Sequence, residues 1–200
     1  MVRLGVAGAA CALWLAAFPA SAEPFQTWVD LCLETNVDLD AVGAKAKAAG
    51  WIAIPADEVG LDGSEIRGAA AYMNFDPATF GDKGPPADFQ MLITGSGDGE
   101  DTFGIAGVRM DLCTVIAMNG DTEELRASMR DRLGIAPVNL DGETFWVFSR
   151  NGSRFRSESD LLDLDAADLP RIAREKKVYL GGLVPEDGAV GLVLAILRPD

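Results

Sequence analysis

Histidine does not occur anywhere in the 200 residues. Without an imidazole neither a Ser-His-Asp nor a Cys-His nucleophilic site can be built, and a zinc or transition-metal centre loses its commonest ligand. Cysteine is scarce, at three residues. Basic groups are scarce as well: 17 Lys and Arg face 31 Asp and Glu, for a formal net charge of −14. So acidic a surface is repelled by phosphate backbones and anionic bilayers, which argues against nucleic acid or a membrane surface as partner and favours a cationic one. Beyond residue 22 no apolar run approaches the roughly 20 residues a membrane-spanning helix needs. Catalytic serine patterns of the G-x-S-x-G or S-x-x-K type are missing too. The glycine-rich "GSGDG" at 95–99 lacks the lysine of a phosphate-binding loop and leads into a strand pattern, so no cofactor is implied.

What is present begins with "MVRLGVAGAACALWLAAFPASAEP". One arginine, an apolar and small-residue run, Pro19 and the Ala20-Ser21-Ala22 site have the anatomy of a secretory leader, with cleavage expected after Ala22. The remaining 23–200 are expected to form a single domain, long enough to bury a core without metal or multiple disulfides. Export leaves 16 basic against 31 acidic groups, because only Arg3 departs. Cys11 departs with it. The two cysteines left, Cys32 and Cys113, are expected to pair in an oxidising compartment, periplasmic or extracellular.

Periodicity predicts the elements. Phe25, Trp28, Val29, Cys32 and Leu33 mark one face of a first helix, and Val42, Ala46 and Ala49 one side of a second, capped by Asp38 or Asp40 and stopped at Gly50. A short helix is predicted over 64–74, loop over 76–88, a strand at "FQMLIT", a turn at "GSGDGED", and one long or two short strands over 102–118. In that stretch Cys113, Val115 and Ala117 point one way and Leu112, Thr114 and Ile116 the other. "DTEELRASMRDRLG" reads as a helix with Asp121 and Glu124 as a capping-box-like pair and Gly134 as its stop. A hairpin follows with a type I′ turn at Asn151-Gly152, which sets Arg150 opposite Ser153 and Phe148 opposite Phe155. A short helix at 166–176 carries Pro170 in its first turn, and two strands close the chain, the run Ala189–Leu197 being covered on both faces. The expected fold is therefore α+β: an N-terminal helical hairpin and two further helices packed on a largely antiparallel sheet.

Three chemistries fit these residues. Paired carboxylates can run glycoside hydrolysis, with 76–101 as rim or lid, but 31 candidates leave the pair unassigned. The alternating oxygen ligands of "NVDLDAVG" (36–43) and "DLLDLDAAD" (160–168) suit calcium, yet neither has the glycine and final glutamate of an EF-hand loop, and helix capping explains both; no metal site is expected. Arg150, Arg154 and Arg156 concentrate positive charge near the Asn-Gly turn, as a candidate anion-binding fork or as the solvated side of a hairpin. Export, a disulfide and missing catalytic sets together point to a non-catalytic protein that binds another protein or a small ligand. The alternatives are a carboxylate-based cell-envelope hydrolase and, third, a structural envelope component.

Overall fold

The computed structural model describes residues 23–61, 66–76, 78, 85–100, 106–118, 120–140, 143–186 and 188–199. The expected leader, most of 77–84 and residues 101–105 lie outside these. Helix α1 (Glu23–Trp28) runs without a break into a π-helical turn, Val29–Leu33, closed by Glu34 N–H donating to Val29 O at 2.9 Å. The wider turn brings Leu31 into the core beside Trp28, Cys32 and Leu33, a position that a 3.6-residue period sets outside the buried stripe. Asn36 and Val37 then take left-handed backbone angles (φ 55° and 54°), a strained state for a β-branched residue. Helix α2 (Leu39–Ala48) starts at Asp38, whose Oδ1 accepts from Ala41 N–H at 3.0 Å.

The strands are β1 (Ile52–Ile54), β2 (Arg67–Met73), β3 (Gln90–Asp98), β4 (Val108–Met118), β5 (Val138–Leu140), β6 (Glu143–Asn151), β7 (Arg154–Ser157), β8 (Val178–Glu186) and β9 (Ala189–Pro199). They join in one sheet in the order β1-β2-β3-β4-β9-β8-β6-β5, with β7 also on β6, and every pairing is antiparallel. Helix α3 (Thr122–Leu133) links β4 to β5, and α4 (Leu169–Glu175) precedes β8 after two 3₁₀ turns, Ser159–Asp163 and Ala166–Asp168. The fold is thus mixed helix and antiparallel sheet.

Three local expectations are corrected. Residues 67–73 form β2, not a helix: their alanines favour helix, but pairing with β1 and β3 overrides so weak a propensity. The glycine stretch at 95–97 is no turn, since β3 continues to Asp98. A Cβ on Gly95 would lie 2.2 Å from Ile66 Cγ2, so glycine is what lets β3 pass the register shift between Arg67 and Ala70. The β6–β7 register is shifted by two: Arg150 faces Phe155 and Phe148 faces Ser157. The turn centres on Gly152-Ser153, with positive φ at Gly152 (59°) and none at Ser153, the type II′ pattern. A shift of two preserves the faces, so Trp146, Phe148 and Phe155 still share one side.

That side is the first face of the sheet. Helices α1, α2 and α3 cover it, packing on β4, β3 and β8, over Tyr72, Leu92, Cys113, Val115, Leu192, Leu194, Tyr179 and Trp146. The second face carries a smaller core in which α4 lies on β9 and β4 over Val108, Met110, Leu112, Ala195 and Leu197. Strand β9 is flanked on both edges, and its lower half, residues 194–197, is buried on both faces, as its apolar run requires. No helix among the described residues is long and apolar enough to cross a membrane.

Candidate binding face

Cys32 and Cys113 form a disulfide that joins the π-helical turn to β4, with Cα atoms 5.6 Å apart and neither residue exposed. A sulfur with no solvent access cannot meet a substrate, so the pair acts as a staple.

The arginines of the β6–β7 hairpin divide between the two faces. Arg150 lies on the first face: its Nη1 donates to Leu33 O (2.8 Å), its Nη2 to Glu34 Oε2 (3.0 Å) and its Nε to Gly152 O (2.8 Å). The guanidinium also stands over the Phe155 ring, 5.7 Å from its centroid. Glu34 receives a second bond from Arg132 Nη2 at 2.8 Å. Beside them Tyr179 O–H donates to Asn36 Oδ1 at 3.0 Å, which secures the strained turn from below. Arg154 and Arg156 are exposed on the opposite side of the strand, so the three do not converge into a fork. Arg150 spends its donors on the chain itself.

The hydrogen bond from Arg150 is the main cause holding the Glu34 carboxyl below its ordinary value. A carboxyl with a depressed folded pKa contributes stability above its unfolded pKa and loses it as pH falls through the folded one. Arg150→Met is therefore expected to cost about 2 kcal/mol at neutral pH, from one charge-assisted bond and the part-buried Leu33 carbonyl left without its donor. Urea titrations should show that cost shrinking below about pH 4.5 as Glu34 takes up its proton. A cost independent of pH would mean that Glu34 adds nothing to the clamp.

Two further polar knots are structural in form. Asp111 is buried, accepts from Ser96 Oγ (2.6 Å) and Arg198 Nε (2.8 Å), and has Arg109 Nε at 3.6 Å. Glu158 accepts from Ser149 Oγ (2.7 Å) and from Lys176 Nζ. Burial pushes its carboxyl up, but the Lys176 and Ser149 bonds overcome that and leave it below its ordinary value. A glycosidase general acid needs the reverse shift, so neither Glu34 nor Glu158 fits that role. The two segments weighed for calcium use their carboxylates as caps, Asp38 on Ala41 N–H and Asp165 on Ala167 N–H.

The unexplained feature is the upper half of the second face, toward the end where β2 finishes and β3 begins. One cross-strand row reads Ile52, Met73, Met91, Ile116, Gly191, Val184. The next contains Ile54, Ala71, Ile93, Thr114, Val193 and Gly182. The large side chains of both rows are half-buried, apart from Ile52, which is 39% exposed. On the first face, between these rows, Tyr72, Leu92, Val115, Leu192 and Leu183 are buried. Helix α4 and the small core beneath it occupy the lower half and reach the second of these rows only at Val193. Gly191 leaves a shallow floor, with nothing closer than 3.6 Å to where its Cβ would be. At Gly182 a Cβ would meet the Phe145 ring at 2.5 Å, so that ring lies flat across the strand. Six strands at about 4.8 Å spacing make an apolar strip about 25 Å wide, with Met73 and Met91 in it.

No protein-family model matches the chain, and neither the curated proteins nor the solved structures provide a significant match. The strip follows from fold and geometry alone. Its sequence signal lies in "QMLIT" and "LCTVIAM", which are apolar at both parities although the described helices cover only one face there.

Proposed function

We propose that the protein is exported, with residues 1–22 as its leader, and is a non-catalytic binding protein that holds a partner protein on the open upper half of its sheet. In this reading α1 with its π turn and α2 act as a hairpin pinned to β4 by the disulfide, which makes the sheet a rigid platform. The observation that carries the reading is the contrast between adjacent residues of one strand: Leu92 is buried, whereas Met91 and Ile93 keep solvent access with no helix of the described residues over them. Contiguous apolar surface of this kind marks interaction sites on soluble proteins. A strip about 25 Å wide accepts an extended segment of about seven residues.

The test is a photo-crosslinking side chain placed at Ile116 in the native host, with the same probe at Arg156 as control. A discrete adduct is expected from Ile116 alone, and it should vanish when Met91→Asp is added to the same chain. Adducts that are identical at both sites, or indifferent to Met91→Asp, would refute the open face as the binding surface.

A further inference from the structure

The sheet register also sorts charge along the strands. Arg67, Arg109, Arg150, Arg154, Arg156 and Arg198 are the strand-borne arginines, and all stand at the lower end, where Arg67 pairs with Ser96 and Asp98–Arg109–Arg198 form one row. Among the described residues no Lys or Arg is carried by a strand in the upper half. Among the described residues, two basic side chains of the helices on the other face are engaged there: Lys47 lies over Tyr72 and Arg126 pairs with Glu123. Acidic groups hold the upper end instead. Asp88 closes the β2–β3 connection, where Asn74 Nδ2 donates to its carbonyl at 3.0 Å, and its side chain is exposed. Glu143 opens β6, is exposed, and by strand alternation points to the same side as Phe145, the side of the open strip. Among the described residues the strip is therefore bordered by Glu143, with Asp88 exposed at the same end of the sheet, and by no basic strand residue.

From this complementarity we infer that the occupant is a cationic segment that alternates Lys or Arg with apolar side chains, an inference that rests on the open strip being the binding face. Its apolar side chains lie across Met91, Ile116 and Gly191, and its charges meet Asp88 and Glu143. Exposed charge pairs of this kind set partner choice and association rate, and salt weakens them. A second copy of this chain is a poor occupant, since its own upper end carries the same sign of charge.

The experiment uses the purified chain with three probes: a labelled alternating Leu-Lys octapeptide, its Leu-Glu counterpart, and the uncharged apolar dye Nile red. The Leu-Lys peptide is expected to bind and the Leu-Glu peptide not. The double variant Asp88→Asn, Glu143→Gln should weaken Leu-Lys binding about tenfold at low salt. The variant Asp160→Asn, Asp163→Asn removes the same charge from exposed positions on the 3₁₀ turn and should change affinity by less than about twofold. Equal losses in the two variants, or equal binding of the two peptides, overturn the cationic occupant. Nile red separates the two readings, because its binding should ignore both neutralised variants and be lost with Ile116→Asp. Dye binding that survives Ile116→Asp removes the open face itself, and the inference with it.

Discussion

Replacing Cys32 and Cys113 together by alanine is expected to lower the unfolding free energy by about 4.5 kcal/mol. The figure follows from the sequence separation of 81, which sets the loop that the bond closes in the unfolded chain. Loop-closure entropy grows with the logarithm of length, so a bond spanning this much of the chain lies near the top of the usual range. Domains of this size are stable by about 5–15 kcal/mol, so the loss takes a large share of the whole. The location adds to it: the bond carries the π-helical turn, and with it Trp28, Leu31 and Leu33, onto β4. Guanidinium unfolding of the oxidised and the double-alanine chains would measure the effect as a shift in midpoint. A change under about 1 kcal/mol would mean that burial alone holds the first helix on the sheet.

The Cys32–Cys113 bond is of the kind that a sequence makes legible. Two cysteines in an expected export context have one possible pairing, and strand alternation already set Cys113, Val115 and Ala117 on a single side. Elements marked by strong local chemistry were legible in the same way. Asp121 accepts from Glu123 and Glu124 N–H at the start of α3, and Gly134 ends it with φ 64°. The misread stretches are those in which local chemistry is weak or points elsewhere. Ala69–Ala71 favour helix by propensity, and only the neighbouring strands make them β2. Asn-Gly is the favoured pair for a type I′ turn, but Gly152-Ser153 serves a type II′ turn, and the pairing of Arg150 with Phe155 decides between them.

Candidate sites were less legible than the fold, for a physical reason. Strand alternation in the sequence already separates Arg150 from Arg154 and Arg156, but the partners of Arg150 lie 116 and 117 positions away, at Glu34 and Leu33, where local spacing does not reach. The open strip is harder still to see. Residues that are apolar at both parities read as a strand covered on both sides, and for the lower half of β9 that reading holds. For β3 and the upper half of β4 the described residues supply a covering helix on one side only, and sequence periodicity carries no information about where α4 stops.

Leu92 and Ile93 turn that asymmetry into the sharpest contrast expected of any two adjacent residues here. Leu92 is fully buried under the first-face helices, so Leu92→Ala removes packed methyl groups and leaves a cavity, at a cost of about 2–5 kcal/mol. Ile93 points to the open strip, and Ile93→Thr keeps the β-branch that suits a central strand, so its cost is expected below about 1 kcal/mol. Binding should show the reverse order. Ile93→Thr sets a hydroxyl in the strip and weakens binding of an apolar probe, whereas Leu92→Ala leaves the strip unaltered and the affinity of the folded fraction unchanged. Thermal unfolding and dye titration on the two single variants measure both orders. Equal stability losses would mean that Ile93 is packed as tightly as Leu92, and the second face would then be core and not a surface for a partner.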